Sequence, residues 1–309
     1  MKIYLNKANE NWIVDRFRSE WYKYNSDIST RFINNADIIW VISPWTWNKI
    51  NEKYLKNKKV VVTNHHIDLK NWNPNEKNNF YELDKFVDVY HTISNKSLSA
   101  LNQVTNKKVL NIPFWANNEV FFEIKDKDKL KEKYKINRKN FLIGSFQRDS
   151  EGSDLTKPKL IKGPDIFISA VKKLSENNKN IEVILSGNRR NYIIKELQKN
   201  NIEYKYFKNI NNTKLNELYN MLDMYIVSSR LEGGPQAILE CAISNTPIVS
   251  TDVGLASEVL HAESIYKCTI NEATPKTAFA RENVEKLEIN NLISEYIKMF
   301  EHVHRSRLN

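Results

Sequence analysis

The chain has 309 residues, of which 41% are hydrophobic and 27% charged. That length and composition suit two domains of ordinary size, each with a buried core, and exclude disorder and a single small domain. With no apolar run near the ~20 residues of a membrane span, no expected secretory signal in an N-terminus that soon turns polar, and only Cys241 and Cys268 as cysteines, the chain is no channel, collagen, disulfide scaffold or cysteine zinc module. The net charge of +10 favours anionic partners. Lysine and asparagine are spread throughout, however, without a block of consecutive basic residues, so charge by itself supports nucleic acid only weakly.

In the first half, apolar runs predict strands at 2–5, 38–42, 60–63, 87–93 and 109–112. Helices fit near 12–24 and 95–103. Tryptophan and glycine then divide the chain. All seven tryptophans lie between Trp12 and Trp115, and all seven glycines between Gly144 and Gly254. The charged stretch 125–140 separates them, which predicts domains at 1–125 and 126–309.

The second half alternates more regularly. A strand is predicted at 141–146. A helix follows from Pro164 through Leu174, with Ile166, Phe167, Ala170, Val171 and Leu174 on one face and proline at its start. Strands at 181–187, 203–207, 224–228 and 247–251 alternate with helices near 192–200, 215–222 and 236–244. The last stretch, 282–303, has helical spacing; its helix (284–304) either caps the second domain or crosses back to the first. Apolar strands alternating with amphipathic helices predict an α/β fold with doubly wound parallel sheets.

Ligands in such sheets bind beyond the carboxyl ends of the strands. The loop after 224–228 reads Ser-Ser229-Arg-Leu-Glu232-Gly233-Gly234-Pro235, leading to Glu240. The glycines allow close backbone approach. Pro235 opens a helix whose free N–H groups form an anion site, and Glu240 is an ionised acceptor suited to ribose hydroxyls. The alternative is a plain strand–turn–helix connection with two solvated glutamates. The loop after 141–146 carries Arg148 and runs to Lys159 and Lys162, just before the helix. Cations in both places suit a diphosphate. In a lysine-rich chain Lys159 and Lys162 also read as surface cations, whereas arginine is scarcer. Residues 150–160 form a polar loop long enough to act as a lid.

Taken in order, Arg148, Lys162-Gly163, Ser229, Glu232 to Glu240, Pro247-Ile-Val and Val253-Gly254 resemble the nucleotide-binding domain of retaining GT-B glycosyltransferases of family 4 (glycosyl transferases group 1). The resemblance spans about residues 108–260. It implies two Rossmann-like domains facing a cleft, with donor bound by the second and acceptor by the first. Arg148 and Lys162 would hold the donor diphosphate. Glu232, with backbone at Gly233 and Gly234, would touch the sugar, and Glu240 the ribose. Gly187-Asn188 and the loop 207–210, ending at Ile210, would flank the base. The donor implied is a UDP- or GDP-sugar, with no resident cofactor.

The first half departs further from that pattern. The loop after its first strand, 6–12, has no glycine. His65 and His66 end the strand at 60–63, and His66 is the candidate active-site histidine, with His65 as the alternative; a histidine finishing a buried strand would look the same. Trp40, Trp45 and Trp47 suit core positions, although the segment 43–47 also suits an acceptor site. No metal ligands are assigned, since the two histidines are adjacent rather than four apart. The expected activity is cytoplasmic transfer of a sugar to a saccharide or a lipid-linked acceptor, with peripheral membrane contact in the second case and no nucleic-acid partner. The rivals are a nucleotide-sugar epimerase of the same fold, a catalytically inactive nucleotide binder and a basic nucleic-acid binder.

Overall fold

A computed structural model describes residues 1–10, 13–153, 155–178 and 180–306. Trp12, where the first helix was expected to begin, and position 154 of the polar loop lie outside the described residues. The chain divides into two compact units, Met1–Pro113 with Ile293–Asn309, and Phe114–Leu292.

The first unit is built on β1 (Ile3–Leu5), α1 (Ile13–Tyr24), β2 (Ile38–Val41), α2 (Glu52–Asn57), β3 (Lys59–Asn64), α3 (Pro74–Asp84), β4 (Val89–Thr92), α4 (Asn95–Leu101) and β5 (Lys108–Asn111). Its five strands are all parallel and lie in sequential order. Alternate residues face opposite sides. Ile39, Val41, Val60 and Val62 pack with Leu55, Leu83 and Leu101 from α2, α3 and α4. Trp40 faces the other way and meets Trp21 of α1 edge-on, with ring centroids 5.3 Å apart. Helices α2 and α3 were not foreseen. Each begins on an asparagine: the Asn51 side chain accepts from the Lys53 N–H, and Asn73 from the Glu76 N–H.

A buried polar chain crosses this sheet. The Trp40 indole N–H donates to Thr63 Oγ1 (2.7 Å), and Thr63 Oγ1 lies 2.9 Å from His91 Nδ1. His91 Nε2 lies 2.7 Å from the Ile112 carbonyl. A carbonyl only accepts, so Nε2 carries the proton and the Thr63 hydroxyl donates to Nδ1. Every polar atom of the chain is thereby satisfied with the imidazole neutral.

The second unit contains α5 (Lys127–Lys133), β6 (Phe141–Ser145), β7 (Ser150–Glu151), β8 (Lys157–Pro158), α6 (Pro164–Asn177), β9 (Ile181–Ser186), α7 (Asn191–Lys199), β10 (Glu203–Phe207), α8 (Asn212–Met221), β11 (Met224–Val227), α9 (Gln236–Ile243), β12 (Ile248–Thr251), α10 (Ala256–Val259), β13 (Ile265–Tyr266) and α11 (Thr277–Glu285). The six-stranded parallel sheet runs β10-β9-β6-β11-β12-β13. Chain order therefore proceeds outward in both directions from β6, and reverses between β6 and β11. Ile143, Val183, Leu185, Ile226 and Val249 from the strands pack with Phe167, Val171 and Leu197 from the helices.

Three features differ from expectation. The change of unit at 113/114 precedes the charged stretch, because residues 115–124 are stitched to the second unit. Gln236 Nε2 donates to the Trp115 carbonyl (2.8 Å), and the N–H groups of Phe122 and Ile124 donate to the Asn216 and Asn220 side chains. The charged stretch itself contains α5, capped by Asp126 and fastened to Asp223 through Lys127 and Lys131. The polar loop 150–160 contains the antiparallel β7–β8 hairpin.

The last helix, α12 (Ile289–Arg305), belongs with the first unit from Ile293 onward. There its Tyr296 hydroxyl donates to the Pro113 carbonyl (3.0 Å), and Phe300 packs 5.2 Å from Trp40. Among the described residues no helix is long and apolar enough to cross a membrane.

Candidate functional site

Strand order reverses between β6 and β11, and the loops beyond the carboxyl ends of these two strands are where open α/β sheets take ligands. Lys162 Nζ pairs with Glu232 Oε1. Ser229 Oγ lies 3.1 Å from the same carboxylate oxygen and 3.2 Å from Gln147 Oε1, and its one proton serves either. The Gln147 amide donates to the Lys162 carbonyl (2.9 Å). Lys162, Glu232, Ser229 and Gln147 thus form one cluster from three separate segments.

Two glycines make that cluster possible. Gly163 has φ +59°, and a β-carbon there would lie 1.7 Å from the Ser228 carbonyl oxygen. Gly254 has φ +50°, and its β-carbon would lie 2.2 Å from the Gly233 oxygen. The loop after β11 is therefore held between two backbone turns that leave no space for side chains. Gly233 is buried and Gly234 half-buried. Pro235 stands at the cap position, so α9 begins at Gln236, one residue later than a proline-led helix.

Lys159 joins the cations. Its pKa is lowered, first by burial, then by Lys162 and Arg148, while Glu151 and Glu232 act in the opposite sense. Lys159 thus feels both neighbouring cations, and a bound anion would favour its charged form. Arg148 is half-buried, and its backbone is fixed from the next residue. Asp149 Oδ2 meets the wholly buried Arg190 at 3.1 Å. Arg190 also donates to the Ser145 carbonyl at the end of β6 (2.9 Å), and the Asp149 and Ser150 N–H groups donate to the Arg189 carbonyl. Arg190 and Gln147 were not singled out from the sequence, where the only signal was an arginine doublet in an arginine-poor chain.

The remaining expected residues lie around this cluster. Glu240 is only 4% exposed, and its Oε2 accepts from the Tyr219 hydroxyl at 2.7 Å. Burial and the neighbouring carboxylate push the Tyr219 pKa far up, so the phenol keeps its proton and donates. Gly187 (φ +90°) follows β9 and packs against the Phe146 carbonyl, and its own oxygen accepts from the Tyr206 hydroxyl (2.7 Å). Asn188 is exposed, and Ile210, beyond β10, is half-buried. Among the described residues no group of three or more His, Cys, Asp or Glu is placed to hold a metal ion.

In the first unit, His65 and His66 follow directly on β3. His65 Nε2 lies 2.9 Å from the Ile42 carbonyl, and its own carbonyl accepts from Ser97 Oγ (2.8 Å). His66 is exposed. The glycine-free loop after β1 is ordered by asparagines: Asn9 takes the left-handed conformation (φ 57°), and Asn6 bonds Ser43 and Thr46. The three tryptophans separate in role. Trp40 is core, Trp47 packs against Phe86 at 6.1 Å, and Trp45 is exposed.

Comparison by sequence with curated proteins finds no match. Solved structures share the fold. HepE of Anabaena, in complex with UDP and glucose, superposes with a TM-score of 0.75 at 13% identity, over 98% of this chain and 100% of HepE. Sucrose-phosphate synthase of Thermosynechococcus elongatus gives 0.68 at 14% identity, over 94% of this chain and 77% of that one. A glycosyltransferase of Rickettsia africae gives 0.66 at 14% identity, over 98% and 84%. The shared fold is GT-B, two α/β units on parallel sheets. The family model for glycosyl transferases group 1 matches residues 126–292, which is more than half of the chain and includes the whole Lys162–Glu232 cluster, and the chain belongs to that family.

Proposed function

We propose that the protein transfers a hexosyl group from a nucleoside-diphosphate sugar to a saccharide or lipid-linked acceptor, with retention of configuration and without a metal ion. The observation that carries this reading is the Lys162–Glu232–Ser229–Gln147 cluster beyond the carboxyl ends of β6 and β11, with Lys159 in electrostatic reach of Lys162 and Arg148 as well as of Glu151 and Glu232. A dianion bound there would draw on these cations. Cleavage of a sugar–phosphate bond leaves charge on the departing diphosphate, and preoriented cations are worth most where that charge develops.

In this reading Arg148 and Lys162 neutralise the diphosphate. Glu232 and the backbone of Gly233 and Gly234 meet the sugar, and the N–H groups beyond Pro235 face the anion. Glu240 receives the ribose hydroxyls, and Gly187, Asn188 and Ile210 border the base. His66, just beyond β3 of the first unit, remains the candidate active-site histidine. The HepE complexes with UDP and with UDP-glucose favour UDP over GDP. The reaction is assigned to the cytoplasm, at the inner face of a membrane when the acceptor is lipid-linked.

The test is a thermal-shift panel of UDP, GDP, ADP, dTDP and their sugar conjugates. A ligand at ~100 times its Kd stabilises by ~2.7 kcal/mol, a shift of roughly 5–11 °C at ~2–4 °C per kcal/mol for a unit of this size. A shift with UDP that disappears in Arg148→Ala is expected. Absence of a shift with every nucleotide defeats the donor site. Conversion of the donor without any acceptor favours the epimerase.

A further inference from the structure

We propose that Trp45 is the stacking platform of a subsite for a pyranose ring of the acceptor, with Glu10 and His65 at its edge. The inference rests on the glycosyltransferase reading, and it identifies the acceptor as a saccharide contacted through its ring.

Trp45 is 46% exposed. A large apolar ring left in water forgoes the burial free energy that its neighbours gain. This one is held. Its indole N–H donates to Glu10 Oε1 at 3.0 Å, and its ring lies 5.5 Å from that of His65, tilted by 54°.

The supporting segments are fixed in turn. The Asp15 carboxylate accepts from the Asn9 and Glu10 N–H groups at 3.1 and 2.8 Å. The buried Asn6 side chain bridges the loops after β1 and β2, donating to the Ser43 carbonyl and Thr46 Oγ1 (both 2.9 Å) and accepting from the Ser43 N–H (3.1 Å). The ring is therefore preorganised, and a ligand need not immobilise it.

Glu10, Trp45 and His65 come from the segments after β1, β2 and β3. These are adjacent parallel strands, so all three residues stand at one carboxyl edge of the sheet. A flat apolar face bordered by a carboxylate and an imidazole matches a pyranose. The C–H face of the sugar lies on the indole, and a ring hydroxyl donates to the Glu10 carboxylate at the rim. A nucleic-acid strand would bring phosphates against Glu10. A lipid tail would meet polar neighbours on the edge where it needs an apolar one.

The experiment is a glycan array probed with the labelled full chain, its Trp45→Ala, Trp45→Phe and Glu10→Gln variants, and UDP thermal shifts on all four proteins. The wild type is expected to bind a defined set of saccharides. Trp45→Ala should weaken that binding about tenfold or more, the effect of ~1.4 kcal/mol, while Trp45→Phe keeps most of it. The UDP shift should be the same in all four. An array without binding by the wild type, or equal binding by Trp45→Ala, overturns the subsite. Loss of the UDP shift in the wild type instead defeats the donor reading, and the array result alone then judges the platform.

Discussion

Lys159 differs chemically from the two cations beside it. Its ammonium is already pressed toward the neutral form by burial and by Lys162 and Arg148. A bound diphosphate favours the charged form, so above the lowered pKa binding must take up a proton. UDP affinity should therefore fall as pH rises through that pKa, and Lys159→Arg, which stays charged, should move the fall to higher pH. Calorimetric titration in buffers of different ionisation enthalpy checks both the fall and the proton uptake. A second expectation concerns Gly163. A methyl group there meets the Ser228 carbonyl at 1.7 Å in a left-handed backbone, so Gly163→Ala should destabilise the second unit by ~2 kcal/mol or more, and chemical denaturation measures it. The order and spacing of the motifs singled out Arg148, Lys162, Ser229 and Glu232 in the sequence, and the structure brings the last three into one cluster. Lys159 was not separable from them, since in a lysine-rich chain nothing local distinguishes a desolvated lysine from a solvated one. The bond from Tyr219 to Glu240 joins residues of different helices, and no short window contains it.

At the scale of elements, β4 carries a titration that the fold must restrain. Burial is the main cause of a His91 pKa lowered from 6.5 to about 4, with His65 adding to it and the Ile112 bond opposing it. The native state thus favours neutral imidazole, while the unfolded chain takes up a proton below 6.5. The stabilisation is complete above 6.5 and is lost as pH falls through about 4. The first unit should therefore lose up to about 3 kcal/mol across that window. His91→Gln, which keeps a donor and an acceptor but does not titrate, should flatten the dependence. Thermal melts of both proteins across the window decide it, and parallel slopes would show that other groups govern the acid limb. The strands were legible because short apolar runs stand out against lysine and asparagine. Helices α2 and α3 were not, because asparagine signals a cap and a loop equally well, and Asn51 and Asn73 stand among many others. Helix α5 was hidden in the charged stretch at the expected boundary because Leu130 is its only buried apolar residue, and its remaining anchorage is ionic, through Lys127 and Lys131 to Asp223.

At the scale of the whole molecule, the first unit is completed by the last part of the chain. Residues 293–309 belong to it, and Tyr296, Met299, Phe300 and Val303 of α12 are buried there. Periodicity alone located this helix but left open which unit it covers, since an amphipathic face matches any apolar surface. Four buried side chains at ~1.5–3 kcal/mol each contribute ~6–12 kcal/mol, comparable to the whole stability of a domain. Removing them would also expose Trp21 and Trp40, which pack against Phe300 at 5.3 and 5.2 Å. A chain ended after Leu292 should therefore lose the protection of residues 1–113 while the second unit keeps its sheet, its Lys162–Glu232 cluster and a UDP-dependent melting transition. Limited proteolysis read by mass spectrometry, with and without UDP, tests this. Cleavage should spread through 1–113 and spare 126–285. Equal protection of the first unit in the shortened chain would make α12 an appendage. The same connectivity sets an order of events. On refolding, the first unit closes only by bringing residues 293–306 back to 1–113 across the whole intervening sequence of the second unit, a loop closure that the second unit does not need, so the Lys162–Glu232 cluster and the proposed UDP binding should form ahead of the fluorescence change that reports burial of Trp21 and Trp40.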